Sequence, residues 1–272
     1  MTRRGSEDGA ALLAVLAMVA LLAGFAAVGL NGLRAGVDGQ VGRSERAQAR
    51  LLARSALMVA RAGEQAGALG QPQAFALPGG TAELRFEDGG NCLNLNALGT
   101  PGGEGAQALA RLLAAVGAGG QALADATALW AAAVQRADPA EWGAMPGVSS
   151  EAFARARPFL CALPDREPAA LNINTLKPGQ EPLLVAAGFA PAYARAAIAA
   201  RPPGGYGFIG DFWRAATPDG MQPMGRFANA VGTATRWRRV TVAATAGDAA
   251  VTLSALLDSR ASPANIVAVE WR

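Results

Sequence analysis

Ala10 to Leu30 is an unbroken apolar run without a charged or strongly polar residue. As a helix, its 21 residues rise ~31 Å, about the hydrocarbon thickness of a bilayer. The apolar core of a cleavable secretory signal is shorter, ~7–15 residues, so the run predicts a membrane span. Beyond it the pattern becomes amphipathic. Arg43, Arg46, Arg50, Arg54 and Arg61 follow steps of 3, 4, 4 and 7, which share one helical face. Ser44, Leu51, Ser55, Val59, Ala62 and Ala66 share another. The helix is expected to end near Gly67 or Gly70. Gly32, Gly36, Gly39 and Gly42 predict a flexible or partly melted join, since each costs ~1 kcal/mol relative to Ala. The arginine stripe reads either as a solvated face or as a surface for an acidic partner.

Strand-like alternation follows at Thr81 to Phe86, closed by a Gly89-Gly90 turn. Asn91 to Leu98 alternates apolar residues with asparagine, as a half-buried strand would. Gly105 to about Ala137 is Ala/Leu-rich and helical, with Leu109, Leu112 and Leu113 on one face and Leu123, Leu129 and Trp130 on another. Two short helix–turn–helix units come next. One runs through Met145-Pro146-Gly147 into a helix at about 149–157, capped by Ser149 or Ser150. The other starts at Leu171-Asn172-Ile173-Asn174-Thr175 and turns at Gly188-Phe189-Ala190 into a helix ending at Arg201. Trp237–Thr245, Ala250–Leu256 and Ile266–Trp271 are β-rich, separated by Gly247-Asp248 and Ser262-Pro263 turns. Strands before and after a helical stretch predict one sheet with a helical insert.

Composition narrows the chemistry. The chain has 272 residues, 51% of them hydrophobic, a net charge of +3 and no histidine. Ser-His, Cys-His and His-metal chemistry are therefore absent. Two cysteines cannot build a four-thiolate zinc site. There is no phosphate loop, dinucleotide fingerprint or nucleophile elbow, and no carboxylate pair stands out. No enzyme is expected; a periplasmic enzyme working through carboxylates alone is the remotest reading. Lys177 is the only lysine, and no dense basic patch marks a nucleic-acid binder.

A short leader, Met1 to Gly9 with Arg3 and Arg4, precedes the span. Leader, glycine, apolar helix and amphipathic continuation together resemble the class III signal of type IV pilins and pseudopilins. That resemblance implies that a prepilin peptidase cuts after Gly9 and methylates Ala10. Most pilins carry Glu at the fifth mature position; here it is Ala14. With the N-L-N stretch at 94–96 and the N-I-N-T segment at 172–175, this resembles the K-type minor pseudopilins of type II secretion, the general secretion pathway protein K family.

The resemblance implies an α+β fold: a long pilin-like N-terminal helix on an antiparallel sheet, with a large inserted α-helical domain of helix-hairpin-helix (SAM-like) type. The expected segments are a leader at 1–9, a helix at 10–67, sheet at 68–100 and 236–272, and the insert at 101–235. It implies a single-pass inner-membrane protein with its bulk in the periplasm. Its role would be to initiate the pseudopilus as its tip subunit, with minor pseudopilins I and J and then H as partners. It also implies calcium as a possible ligand. Family members often carry an acidic D-W-x-D cluster, whereas Trp130 is flanked by Leu129, Ala131, Ala132 and Ala133, and only Asp125, Asp138 and Glu141 are nearby. In an oxidising exterior, Cys92 and Cys161 are expected to pair; two buried free thiols are the other reading. The competing functional reading is a membrane-anchored helix-hairpin-helix DNA-binding protein of the competence-receptor type. Both hairpins lack the second glycine that lets phosphate approach the backbone, so no nucleic acid is expected as a partner.

Overall fold

In the computed structural model, residues 4–62, 72–217 and 223–271 are described, with side chains from residue 12 onward. Helix α1 (Arg4–Ala62) runs 59 residues without interruption. Strands β1 (Gln73–Leu77) and β2 (Gly80–Asp88) follow, then the two-residue β3 (Leu93–Asn94). The helices of the central region are α2 (Glu104–Ala115), α3 (Gln121–Ala133), α4 (Ser150–Ala156), α5 (Glu181–Ala186), α6 (Pro191–Ala199), α7 (Ile209–Ala216) and α8 (Arg226–Asn229). Short bridges β4 (Leu160–Cys161), β5 (Leu171–Asn172) and β6 (Val231–Gly232) lie among them. The chain closes with β7 (Trp237–Ala246), β8 (Ala249–Asp258) and β9 (Asn265–Trp271).

One antiparallel sheet, ordered β1-β2-β7-β8-β9, joins both ends of the β-rich sequence. The long-range step is β2 on β7, from Thr81↔Thr245 to Asp88↔Arg238. Period-two burial explains its face. Ala82, Leu84 and Phe86 of β2, Val240, Val242 and Ala244 of β7, and Leu253, Ala255 and Leu257 of β8 all point to one side. There they meet Ala49, Leu52, Ala53, Ala56, Leu57 and Ala60 of α1. Alanine at four of those six positions lets the helix lie close on the sheet.

The central region packs on a second core that includes Leu109, Leu112, Leu113, Trp142, Ile173, Leu184, Phe189 and Phe212. Gly117, with φ +65°, stops α2 in a left-handed turn that a side chain would resist. The helical stretch expected over 105–137 is therefore two helices, α2 and α3.

Three sequence expectations need correction, and the structure adds which face of α1 is buried. The glycines at 32, 36, 39 and 42 do not break α1. Once nucleated, a helix extends one hydrogen bond at a time, and isolated glycines flanked by Leu33, Val37 and Val41 are carried along. The helix face on the sheet is the 49/52/53/56/57/60 set, while Leu51 and Val59 are exposed. Residues 91–98 are not a half-buried strand of the main sheet. Only Leu93 and Asn94 form a bridge, parallel to Leu160 and Cys161, and Leu95–Ala97 is a 3-10 turn. All of Cys92 to Leu98 is buried, mostly in the core of the helical region. Leu129, expected on an apolar face, is 61% exposed; Ala124, Thr127, Ala128 and Ala131 are the buried positions of α3. Strand β1 lies within the sheet expected at 68–100, though no individual strand was assigned there.

Candidate functional site

Two surfaces of α1 carry the candidate function. From Leu12 to Val41 its apolar side chains are exposed, and an 18-residue window reaches a mean hydropathy of 2.6, long and apolar enough to cross a membrane. Ala14 lies exposed on this span. Further along, where the inner face is committed to the sheet, Leu51, Ser55, Met58 and Val59 remain exposed on the outer face. Steps of 4, 3 and 1 make them one continuous stripe. Gly9 and Ala10 belong to the stretch whose side chains lie outside the described residues. So do residues 63–71, where the end of the helix was expected.

The arginine stripe is only partly solvent-facing. Arg50 and Arg54 lie over the Trp271 ring at 5.8 and 5.7 Å. Arg61 Nε donates to the Ala264 carbonyl at 2.6 Å. These contacts pin the C-terminal strand against the helix; Arg43 and Arg46 are exposed.

The asparagines singled out in the sequence act as clamps on loop backbone. Asn94 Oδ1 accepts from the amides of Asn96 and Leu163, and its Nδ2 donates to the carbonyls of Asp165 and Glu167. Asn96 binds both the amide and the carbonyl of Arg136 and also the Leu163 carbonyl. Asn174 holds the amide and carbonyl of Tyr206. Asn91 does the same to Asn172 and also donates to Thr175. Thr175 and Thr235 both donate to Asp88 at the end of β2, tying the N-I-N-T segment to the sheet. Asp88 had not been picked out from the sequence.

A second joint surrounds Asp258 at the end of β8. Arg236 binds Asp165 and Asp258 and covers the buried Trp237 ring at 4.3 Å, and Arg260 forks onto Asp258. Burial alone would raise the Asp258 pKa, but the hydrogen bonds from Arg260 and Arg236 together outweigh it and hold it at about 2.

Cys92 and Cys161 are joined, with Cα atoms 5.7 Å apart, across a sequence separation of 69. The bridge fastens the segment after β2 to the segment after α4. It borders a cleft of about 790 Å³ between sheet and insert. The cleft walls mix Glu87, Asp138 and Glu270 with Arg157, Lys177 and Arg239, and this mixed charge selects no ligand class.

The second hairpin is packed through its central residue, whereas Gly147 of the first is exposed. Gly188 has φ +105°, and the next residue, Phe189, is buried and stacked on Trp213 at 5.2 Å. Phe189 is thereby spent on packing, while Gly188 and Ala190 stay exposed, and no second glycine follows Gly188 to bring a phosphate onto the backbone. A calcium site at Trp130 is not supported by the residues present either. Asp125 accepts from Gly102 and Gln121, Asp138 and Glu141 cap the turn at 139–144, and Arg136 lies over the Trp130 ring. Among the described residues no three His, Cys, Asp or Glu side chains converge. A hard cation needs several converging oxygens.

Comparison with known proteins agrees with this arrangement. Residues 171–233 match the family model of type II secretion system protein K. That stretch opens with the N-I-N-T segment and closes on β6, the partner strand of β5. The chain also superposes on a chain of the GspK–GspI–GspJ complex from the type 2 secretion system of enterotoxigenic Escherichia coli. The TM-score is 0.63 at 21% identity, over 88% of this chain and 99% of that one. At that identity the likeness establishes a shared fold: the long helix, the antiparallel sheet and the further helices. No curated protein sequence matches the chain.

Proposed function

We propose that the chain is the K-type minor pseudopilin of a type II secretion system, and that it initiates the pseudopilus from the tip. The match of residues 171–233 to protein K of that system carries this reading. The geometry supports it. An exposed apolar span continues into a helix whose inner face is held by the sheet and whose outer stripe of Leu51, Ser55, Met58 and Val59 is left for partner helices. Arg3 and Arg4 ahead of the span support a leader on the cytoplasmic side and a body in the periplasm. A prepilin peptidase cuts between Gly9 and Ala10 and methylates Ala10. Minor pseudopilins I and J pack beside α1, with H below them. A tip subunit has nothing above it, so a carboxylate at position 14 would meet no amine inside the lipid. Alanine there avoids an unpaired charge. The role is structural, without catalysis.

Mass spectrometry of the detergent-extracted protein, from a strain carrying the secretion system, tests this reading. The expected N-terminus is Ala10, carrying one added methyl. An intact Met1, or cleavage beyond Leu30, would defeat it.

A further inference from the structure

The corner where the K-type resemblance implies calcium is organised by a side chain. After α3 the chain turns through 134–141, and four polar contacts converge on Arg136 there. Its guanidinium carbon lies 3.7 Å from the centroid of the Trp130 ring. Its Nη2 donates to the Trp130 carbonyl at 2.5 Å. Its Nη1 faces Glu141 Oε2 at 3.4 Å. Its backbone amide and carbonyl are both held by Asn96. Glu141 in turn accepts from the amides of Ala137 and Asp138, so one carboxylate and one cation close the turn. The Arg136 side chain is only 15% exposed.

A carbonyl oxygen and a carboxylate are the ligand types a hard cation would collect. A guanidinium presents fixed donors to both, keeps its charge at any physiological pH, and stacks on an indole as no solvated metal can. The positions on either side of Trp130 are Leu129 and Ala131, and neither has a side chain that can serve as a ligand.

We infer that Arg136 is a built-in replacement for a bound cation: its guanidinium, seated on Trp130 and tied to the Trp130 carbonyl and Glu141, closes the 134–141 turn so that the fold of this corner needs no calcium. The inference concerns how the insert is held together and stands whether or not the chain caps a pseudopilus.

Thermal unfolding of the detergent-solubilised full chain, in EDTA and in millimolar calcium chloride, tests it. Wild type melts at the same temperature in both. Arg136→Met keeps the length and loses the charge. It melts about 4–8 °C lower in both buffers, as expected for a lost charged hydrogen-bond pair in a chain of this size. Arg136→Lys recovers part of that loss, because a point charge keeps the carboxylate contact without the planar fork. A wild-type melt that falls in EDTA and returns with calcium overturns the inference. So does Arg136→Met melting like wild type, or Arg136→Lys melting no higher than Arg136→Met. Should Arg136→Met prove too unstable to purify, the wild-type pair of melts and the lysine variant still decide.

Discussion

The core between α1 and the sheet and the core of the helical insert solve the same problem differently. The first contains no buried polar side chain among the described residues. It is Ala and Leu of the helix against Leu, Phe and Val of three strands. The second is threaded with buried Asn94, Asn96, Thr127, Asn172 and Thr217. A long helix and a five-stranded antiparallel sheet satisfy their own backbones, so the residues between them need only be apolar and of the right size. Helices of 4 to 13 residues joined by long connections leave loop amides and carbonyls facing inward. Those groups must be paired, and an asparagine amide, which both donates and accepts, is the side chain that can pair them. Thr127 shows the same economy on a smaller scale: its hydroxyl donates to Leu123 and accepts from the indole of Trp142.

The contrast can be broken at its strongest point by Asn94→Ala. The substitution orphans two buried amides and two part-buried carbonyls. The expected loss is roughly 3–5 kcal/mol of unfolding free energy, read from urea titration. Near-UV circular dichroism from the insert aromatics should collapse at lower urea than the far-UV signal of the sheet. A loss under about 1 kcal/mol would mean the insert does not depend on its clamps.

Opening the Cys92–Cys161 bridge comes next. It closes a long loop within the insert side of the molecule, so its removal by paired Cys92→Ala and Cys161→Ala should cost about 2–4 kcal/mol. The same urea titration reads that cost. Thiol labelling of the denatured, unreduced chain should find no reactive thiol; two per chain would refute the bridge.

The smallest effect is the pH dependence of the joint between the two regions. The Asp258 carboxyl titrates at about 2 in the folded chain, against an ordinary value of 3.8. As pH falls, the unfolded chain takes up this proton first. The stability it contributes is complete above about pH 4–5 and is lost as pH drops toward 2. The amount is on the order of 2 kcal/mol. Asp258→Asn should flatten this part of the stability–pH curve; an unchanged curve would remove Asp258 as the source.

Much of the sheet and its helix was readable from the pattern alone. The apolar run, the period-two stretches at 81–86 and 237–271, and the turn at Gly247-Asp248 correspond closely to α1, β2 and β7 to β9. Strand β1 was legible only in its Pro78-Gly79 turn and in Phe75 and Leu77, both half-buried at a sheet edge where patterning is weak. In the insert the sequence pointed to the right residues and to the wrong reason. The alternation of Asn94, Leu95 and Asn96 mimics a strand, because asparagine on every second position looks like a solvated face. Its partners at Leu163, Asp165 and Arg136 lie far along the chain, so nothing local distinguishes a clamp from a surface.

By itself, then, the sequence determined what depends on neighbours within a few residues: an apolar run long enough for a bilayer, helical and strand periods, turn glycines, and the absence of histidine chemistry. The tertiary structure alone decided which face of α1 is buried. Several faces of a helix rich in alanine are apolar enough, and the sheet selects the one with the smallest side chains. It also decided that the arginines at 50, 54 and 61 hold the final strand, and that Arg136 settles on Trp130. Each of those choices is a pairing between distant segments, and its free energy exists only once both have been brought together and water has been excluded from between them.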